Sequence, residues 1–151
     1  MSESSKSGKR GPLLEEAAML SMVRTVDRTQ IHFVRLFRGH GLTSQQYNVL
    51  RILRGAGGPL PCLEVAARMV TVVPAITGLL DRLEQAGLVA RMRSGEDRRV
   101  VHVELTANGR RCLDKLEAPL TQLHQELLGH MSAQELETLD KLAAKARKAA
   151  E

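Results

Sequence analysis

Aromatic residues are nearly missing from this chain. Its 151 residues hold Phe33, Phe37 and Tyr47 and no Trp, 2% of the total. The core therefore has to be aliphatic, built on Leu, Val, Ile, Ala and Met, a composition that favours helices. Cysteine is as scarce. Cys62 and Cys112 stand far apart with no CxxC, and a reduced, cytoplasmic protein is expected. The five histidines, His32, His40, His102, His124 and His130, form no HxxxH or HExxH, so no metal site is expected. No apolar run reaches 18 residues and no signal-peptide pattern opens the chain, which argues against a membrane role. GxGxxG, a P-loop and a nucleophile–base motif are all lacking. The expectation is a protein that is not an enzyme, with no catalytic residues and no cofactor.

What the chain does have is positive charge, +5 overall with a pI near 9.7. Bulk charge permits nucleic-acid binding without establishing it. Its placement says more. Residues 61–105 carry six Lys/Arg and six Asp/Glu, yet Arg91 to Arg99 holds four Arg against two acids.

The chain opens on a polar tail at 1–12, expected to be disordered, with Pro12 suited to the first turn of the next helix. Residues 13–38 contain no Gly or Pro, and their apolar residues recur at helical spacing: Leu14, Ala17, Ala18, Met22, Val26, Phe33, Val34 and Phe37. This predicts a helix of about seven turns, ended by Gly39-His40-Gly41. A lone helix of that length cannot bury its stripe and needs partners along it. Thr43 and Gln46 form a capping box for the next helix, with Tyr47, Leu50 and Leu53 on its buried face. After the break Gly55–Pro59 the pattern predicts a short helix over 61–70. A four-residue link follows, then a helix starting at Pro74 that buries Ile76, Leu79, Leu80 and Leu83. Gly87 followed by Leu88 reads as a Schellman end.

The period then changes from helical to two. Leu88, Ala90 and Met92 alternate with Val89, Arg91 and Arg93. Beyond the polar tip RSGEDRR, Val101, Val103 and Leu105 alternate with Val100, His102 and Glu104. Two such runs around a Gly-containing tip predict a β-hairpin. Thr106 caps a helix to about Gly129 that Pro119 is expected to kink. Ser132 and Glu135 form the capping box of a last helix. The expected fold class is mainly α with a small β-hairpin.

Two short helices joined by a tight link, with a hairpin behind them, describe a helix-turn-helix followed by a wing. The second helix of such a unit enters the major groove of DNA. Its outward residues are Ala75, Thr77, Gly78, Asp81 and Arg82, small enough in part for close approach. Thr77 suits a base edge or phosphate, Arg82 a phosphate or guanine, and the helix start at Pro74 and Ala75 a phosphate.

The stretch PAITGLLDRLEQAGLVARMRSGEDRRVVHVELTANGR, residues 74–110, resembles the signature of MarR-type winged-helix transcription regulators. DRLEQAGLV, the Asp-Arg-Arg wing and LTANG carry the resemblance, which extends over roughly 13–150. It implies a homodimer whose interlocking helices are 13–38 and 106–150, with a winged-helix DNA-binding domain at 39–105. Each subunit would offer its winged helix to half of a palindromic operator in double-stranded DNA, most simply as a repressor. By the same resemblance Arg99 enters the minor groove, Asp97 holds the Arg99 side chain by an ion pair, and Arg93 and Arg98 contact phosphates. Gly78 stands where many members carry Arg, and Pro74 where Ser or Thr is usual. Sequence preference would then rest more on Thr77, Arg82 and the wing.

The resemblance also implies a small-molecule effector, aromatic or anionic, seated between the dimerisation helices and the winged helix. Tyr47, His32, Arg35 and His40 are the candidates to hold it. Two other readings stay open. Cys62, near a helix start, could serve a thiol-based redox regulator, although the peroxide-sensing branch carries its cysteine in the first long helix and this chain has none there. Gly78 leaves room for an interaction module that no longer binds DNA.

Overall fold

The structure, a computed structural model, describes residues 13–150; the tail expected at 1–12, with Pro12, lies outside the described residues. Six helices and a three-stranded sheet follow the chain: α1 (Leu14–Gly39), α2 (Ser44–Ala56), β1 (Leu60–Pro61), α3 (Cys62–Ala67), α4 (Ile76–Gln85), β2 (Val89–Arg93), β3 (Val101–Leu105), α5 (Ala107–Leu128) and α6 (Ala133–Lys148). The mainly helical class with a hairpin is what the composition and the change of period predict.

The helix ends follow the expected local chemistry. Thr43 accepts from the Gln46 amide at 3.1 Å, while the Gln46 side chain accepts from the Thr43 amide at 2.9 Å. Ser132 and Glu135 make the same reciprocal box. At the end of α4 the Leu88 amide donates to the Leu83 carbonyl at 3.0 Å and the Gly87 amide to Glu84 at 2.9 Å, with Gly87 at φ 71°. That is the Schellman pattern, which glycine adopts without steric cost. Helix α5 runs without interruption past Pro119.

Two boundaries differ from the sequence pattern. Helix α3 has six residues rather than the ten of 61–70, because Pro61 is extended (φ −55°, ψ 140°) and pairs with His102. The short strand β1 was not expected. Two residues cannot display a period of two, and Pro61 is tolerated there because β1 is an edge strand. Helix α4 begins at Ile76, not at Pro74. Ala75 at φ −135° and ψ 73° is non-helical, and Val73 turns in to pack against the core, which leaves Pro74 in the connecting turn.

Every element except β1 and α6 places a buried apolar side chain in one core. Its centre is Val49, Leu50 and Leu53 of α2, Val65 of α3, Leu79, Leu80 and Leu83 of α4, and Leu113 and Leu116 of α5. The hairpin closes it with Val89, Val103 and Leu105. The strand register, Val89 opposite Leu105, Arg91 opposite Val103 and Arg93 opposite Val101, selects the inward set of β2. Val89 and Arg91 share the core-facing side, while Met92 is exposed.

The first half of α1 behaves differently. The stripe of α1 reaches the core only toward its far end, where Phe37 is buried and Phe33 and Leu36 pack against the cluster. Leu14, Met19, Leu20, Met22, Val23, Val26 and Ile31 are exposed, as are Leu139 and Leu142 of α6, a helix with no buried residue.

Candidate nucleic-acid interface

Helix α4 is pinned by Leu79, Leu80 and Leu83, so its other face is presented outward. Thr77 and Arg82 are exposed there, Gly78 is half-buried, and Pro74 and Ala75 are exposed just ahead of the first turn. No side chain caps α4, since the methyl group of Ala75 cannot accept a hydrogen bond. The first amides of this helix are left without a side-chain acceptor.

The hairpin tip is ordered by short hydrogen bonds. The Ser94 amide donates to the Val100 carbonyl at 3.0 Å and the Val100 amide to the Asp97 carbonyl at 3.0 Å. The Asp97 carboxylate accepts from the main-chain amide of Arg99 at 2.9 Å. This corrects the expected ion pair. Asp97 holds the backbone of Arg99, not its guanidinium, because a carboxylate two residues back reaches the amide in an Asx-type turn. The Arg98 and Arg99 side chains are exposed at the tip, and Arg93 is exposed at the end of β2.

Arg91 joins the wing to the helix. Its Nη2 lies 2.8 Å from Glu84 Oε2 and 2.5 Å from Asp81 Oδ1. These hydrogen bonds hold the Glu84 carboxyl below the usual carboxylate range and push the Arg91 guanidinium pKa further up. Both acids of α4 are thereby engaged within the domain by one guanidinium, which offsets one of their two charges. The other arginines are not compensated. Among the described residues Arg82, Arg93, Arg98 and Arg99 form no ion pair, and Arg82 instead donates from Nε to the Gly78 carbonyl at 3.2 Å. Sequence reading passed over Arg91 as a member of the charge run. Its inward register was the missing signal.

A cavity of about 270 Å³ lies where the wing meets the helices, bounded by Pro61, Cys62, Thr77, Leu80, Arg91 and Arg99 among others. Cys62 packs against the core at its edge. Burial pushes the Cys62 thiol pKa up, outweighing the nearby Arg91, so the thiolate needed for redox chemistry is disfavoured. Cys112 is raised by burial in the same way.

The four candidate ligand residues do not converge. Tyr47 lines a cavity of about 460 Å³ with Phe33, Phe37, Asn48, Arg51 and, from the α3–α4 link, Met69, Val70 and Thr71. Its ring stacks on Phe37 at 4.3 Å between centroids. His32 and Arg35 lie in a separate groove against Pro119, Gln122 and Glu126 of α5, because they point away from Phe33 and Phe37 around α1. The His40 Nδ1 lies 2.9 Å from the Leu36 carbonyl and closes the end of α1. The cation beside Tyr47 is Arg51, whose Nη2 donates to Asn48 Oδ1 at 3.0 Å. It is four residues beyond Tyr47, one helical turn, a spacing that sequence reading could have used.

Among the described residues no group of three or more His, Cys, Asp or Glu is placed to hold a metal ion. No described helix is long and apolar enough to cross a membrane.

Helix-turn-helix, edge strand and ordered hairpin together define a winged helix-turn-helix protein. The comparisons with known proteins narrow the class. The profile of the MarR family matches residues 42–101. A MarR transcription factor from Planctomyces limnophilus, known from its crystal structure, is 41% identical; the match covers 89% of this chain and 98% of that one, with a TM-score of 0.69. BpsR of Bordetella bronchiseptica, whose DNA binding is regulated by 6-hydroxynicotinic acid, is 25% identical over 91% of this chain and 98% of its own, with a TM-score of 0.79. The homoprotocatechuate degradative operon repressor of Escherichia coli is 22% identical over 129 residues, 85% of this chain and 86% of the repressor. This chain belongs to the MarR family of transcriptional regulators.

Proposed function

We propose that this protein is a homodimeric repressor that binds a palindromic operator in double-stranded DNA and leaves it when a small aromatic or anionic ligand binds. The observation that carries the reading is the set of exposed, unpaired arginines, Arg82, Arg93, Arg98 and Arg99, gathered on α4 and the wing. In this reading α4 enters the major groove and the wing follows the backbone beside it. Arg93 and Arg98 meet phosphates. Arg99, its backbone fixed by Asp97, enters the minor groove, where a narrow A·T tract concentrates negative potential. The uncapped start of α4 offers amides to a further phosphate.

Residues 13–38 and 106–150 serve as dimerisation helices. The exposed apolar side chains of α1 and α6 support this, since they have no partner within the protomer. Residues 39–105 form the DNA-binding unit. The dimer places two α4 helices in major grooves about one helical turn apart and covers a promoter.

The effector site that the chemistry favours is the cavity at Tyr47. Its walls are aromatic and apolar, and Arg51 is positioned to receive a carboxylate. The likeness to BpsR supports this class, because 6-hydroxynicotinic acid is a hydroxylated aromatic acid. Met69, Val70 and Thr71 line the cavity and lead into α4. A ligand there would bias the position of the recognition helix, and by linkage DNA would weaken the ligand equally.

A mobility-shift titration of the full chain against the DNA upstream of its own coding region tests the reading. The expected result is a competitor-resistant complex that weakens steeply with salt as phosphate counterions are released. A chain that binds no DNA in that assay would instead be an interaction module. Deleting residues 132–151 is expected to yield a monomer in light scattering, and a stable dimer after that deletion would move the interface elsewhere.

A further inference from the structure

The two acids of α4 are engaged by the domain itself, and its arginine is not ion-paired. Asp81 and Glu84 are taken up by Arg91. Arg82 folds back along the helix through its bond to the Gly78 carbonyl, 3.2 Å. Its Nη2 comes within 4.0 Å of where a Cβ on Gly78 would stand. The glycine thus leaves open the face on which the guanidinium lies.

Ahead of Arg82 the surface formed by the connecting turn and the first turn of α4 is apolar and small. Pro74, Ala75 and Thr77 are exposed, and the first turn carries no acid. Val72, just before them, is 89% exposed although its neighbour Val73 packs against the core. Pro74, Ala75 and Thr77 offer ring methylenes, two methyl groups and a single hydroxyl. In the major groove thymine alone presents a methyl group, and Ala and Thr side chains meet it by apolar contact.

We infer that the recognition helix reads thymine C5-methyl groups through Ala75 and Thr77, with Arg82 supplying the directional contact to a neighbouring guanine. The inference rests on the reading of this chain as a DNA-binding regulator and specifies what that regulator reads. Val72 and Pro74 flank this contact and exclude water from it. Thr77 uses its methyl for the base and leaves its hydroxyl for a phosphate. Arg82, already turned toward the front, reaches guanine O6 and N7 as a planar fork.

Deoxyuridine tests this, because it keeps every hydrogen-bonding group of thymine and lacks only the methyl. Duplexes are selected by the full-length protein from a random-sequence library, and each thymine of the enriched half-site is replaced in turn by deoxyuridine. At the positions facing α4 the affinity is expected to fall about fourfold per methyl, as for one CH₂-sized group returned to water. The salt dependence stays unchanged because no phosphate contact is lost. The double variant Ala75→Gly, Thr77→Ser keeps the hydroxyl, alters only exposed positions, and is expected to bind thymine and deoxyuridine duplexes equally. Arg82→Gln is expected to relax the preference at the adjacent guanine alone. Equal affinity for deoxyuridine duplexes at every half-site position overturns the inference, as does a thymine preference that persists in the double variant. If no sequence is enriched at all, the DNA-binding reading itself fails.

Discussion

Arg91 of β2 grips Glu84 of α4 at three points. Its main-chain amide donates to Oε1 at 3.2 Å, and its Nε and Nη2 donate to Oε2 at 3.0 and 2.8 Å. The pair fastens the first strand of the wing to α4, so the angle between the two elements depends on it. Because the Glu84 carboxyl is held below its ordinary range, chiefly by the Arg91 side-chain bond, its contribution to stability is present above the ordinary glutamate value, about 4.3. That contribution is lost as pH falls through the lower folded-state value. Glu84→Gln is expected to melt below wild type by the same margin at pH 6 and 8, and the gap to close as the pH falls below about 4. The carboxylate is solvent-exposed, so the gap is small and shrinks with salt. Thermal unfolding of both proteins from pH 3 to 8 checks this, and a gap that grows on acidification reverses the sign argued here.

The wing makes a separate prediction. Asp97 acts as an acceptor for the Arg99 amide, so charge is secondary to the oxygen. Asp97→Asn is expected to keep most of the DNA affinity, whereas Asp97→Ala loosens the tip and weakens binding. Arg99→Ala removes the proposed minor-groove contact and should cost about 1–3 kcal/mol of specific binding. Titration of the three variants against one selected duplex orders them; equal losses for Asn and Ala at 97 would restore a role for the charge.

Effector binding should follow Arg51 rather than Arg35. Arg51 and Tyr47 line one cavity, and Arg35 lies in a different groove. In a thermal-shift series with hydroxylated aromatic carboxylic acids, Arg51→Gln is expected to lose the stabilisation that Arg35→Gln retains. Loss only in Arg35→Gln would place the ligand against α5.

The root of the hairpin is sterically closed at Gly109. A Cβ there would overlap the Leu88 carbonyl oxygen and the Leu105 side chain. The Gly109 amide is bonded to Thr106 Oγ1, which in turn donates to the Gly87 carbonyl at 2.7 Å. Gly109→Ala is expected to destabilise the fold by about 1–3 kcal/mol, because backbone on one side of the contact cannot give way. A urea midpoint lowered at unchanged slope is the expected result; an unaltered midpoint would mean that the start of α5 shifts freely.

Elements with several turns or alternations were legible in the sequence. The stripe Leu79, Leu80, Leu83 placed α4 and its outward face, and Thr43 with Gln46 marked the start of α2. Gly87 marked the end of α4, because Schellman geometry depends on one residue. Short or partner-dependent features were not legible. β1 exists only because β3 lies beside it. The first turn of α4 was misjudged because a Pro suits both a turn and a helix start, and the core decided between them by drawing Val73 inward.

The sequence by itself determined the order of helices and hairpin, the small uncharged front of α4 and the arginine-rich tip, all written in spacings of four residues or fewer. Only the tertiary structure decided which partner each charge takes. The register of β2 against β3 turned Arg91 inward onto Asp81 and Glu84 and left Arg82, Arg93, Arg98 and Arg99 unpaired. The packing of α1 against its neighbours set His32 and Arg35 in a groove apart from Tyr47. Both outcomes depend on which faces of distant segments meet in the core, and periodicity within one segment carries no information about that.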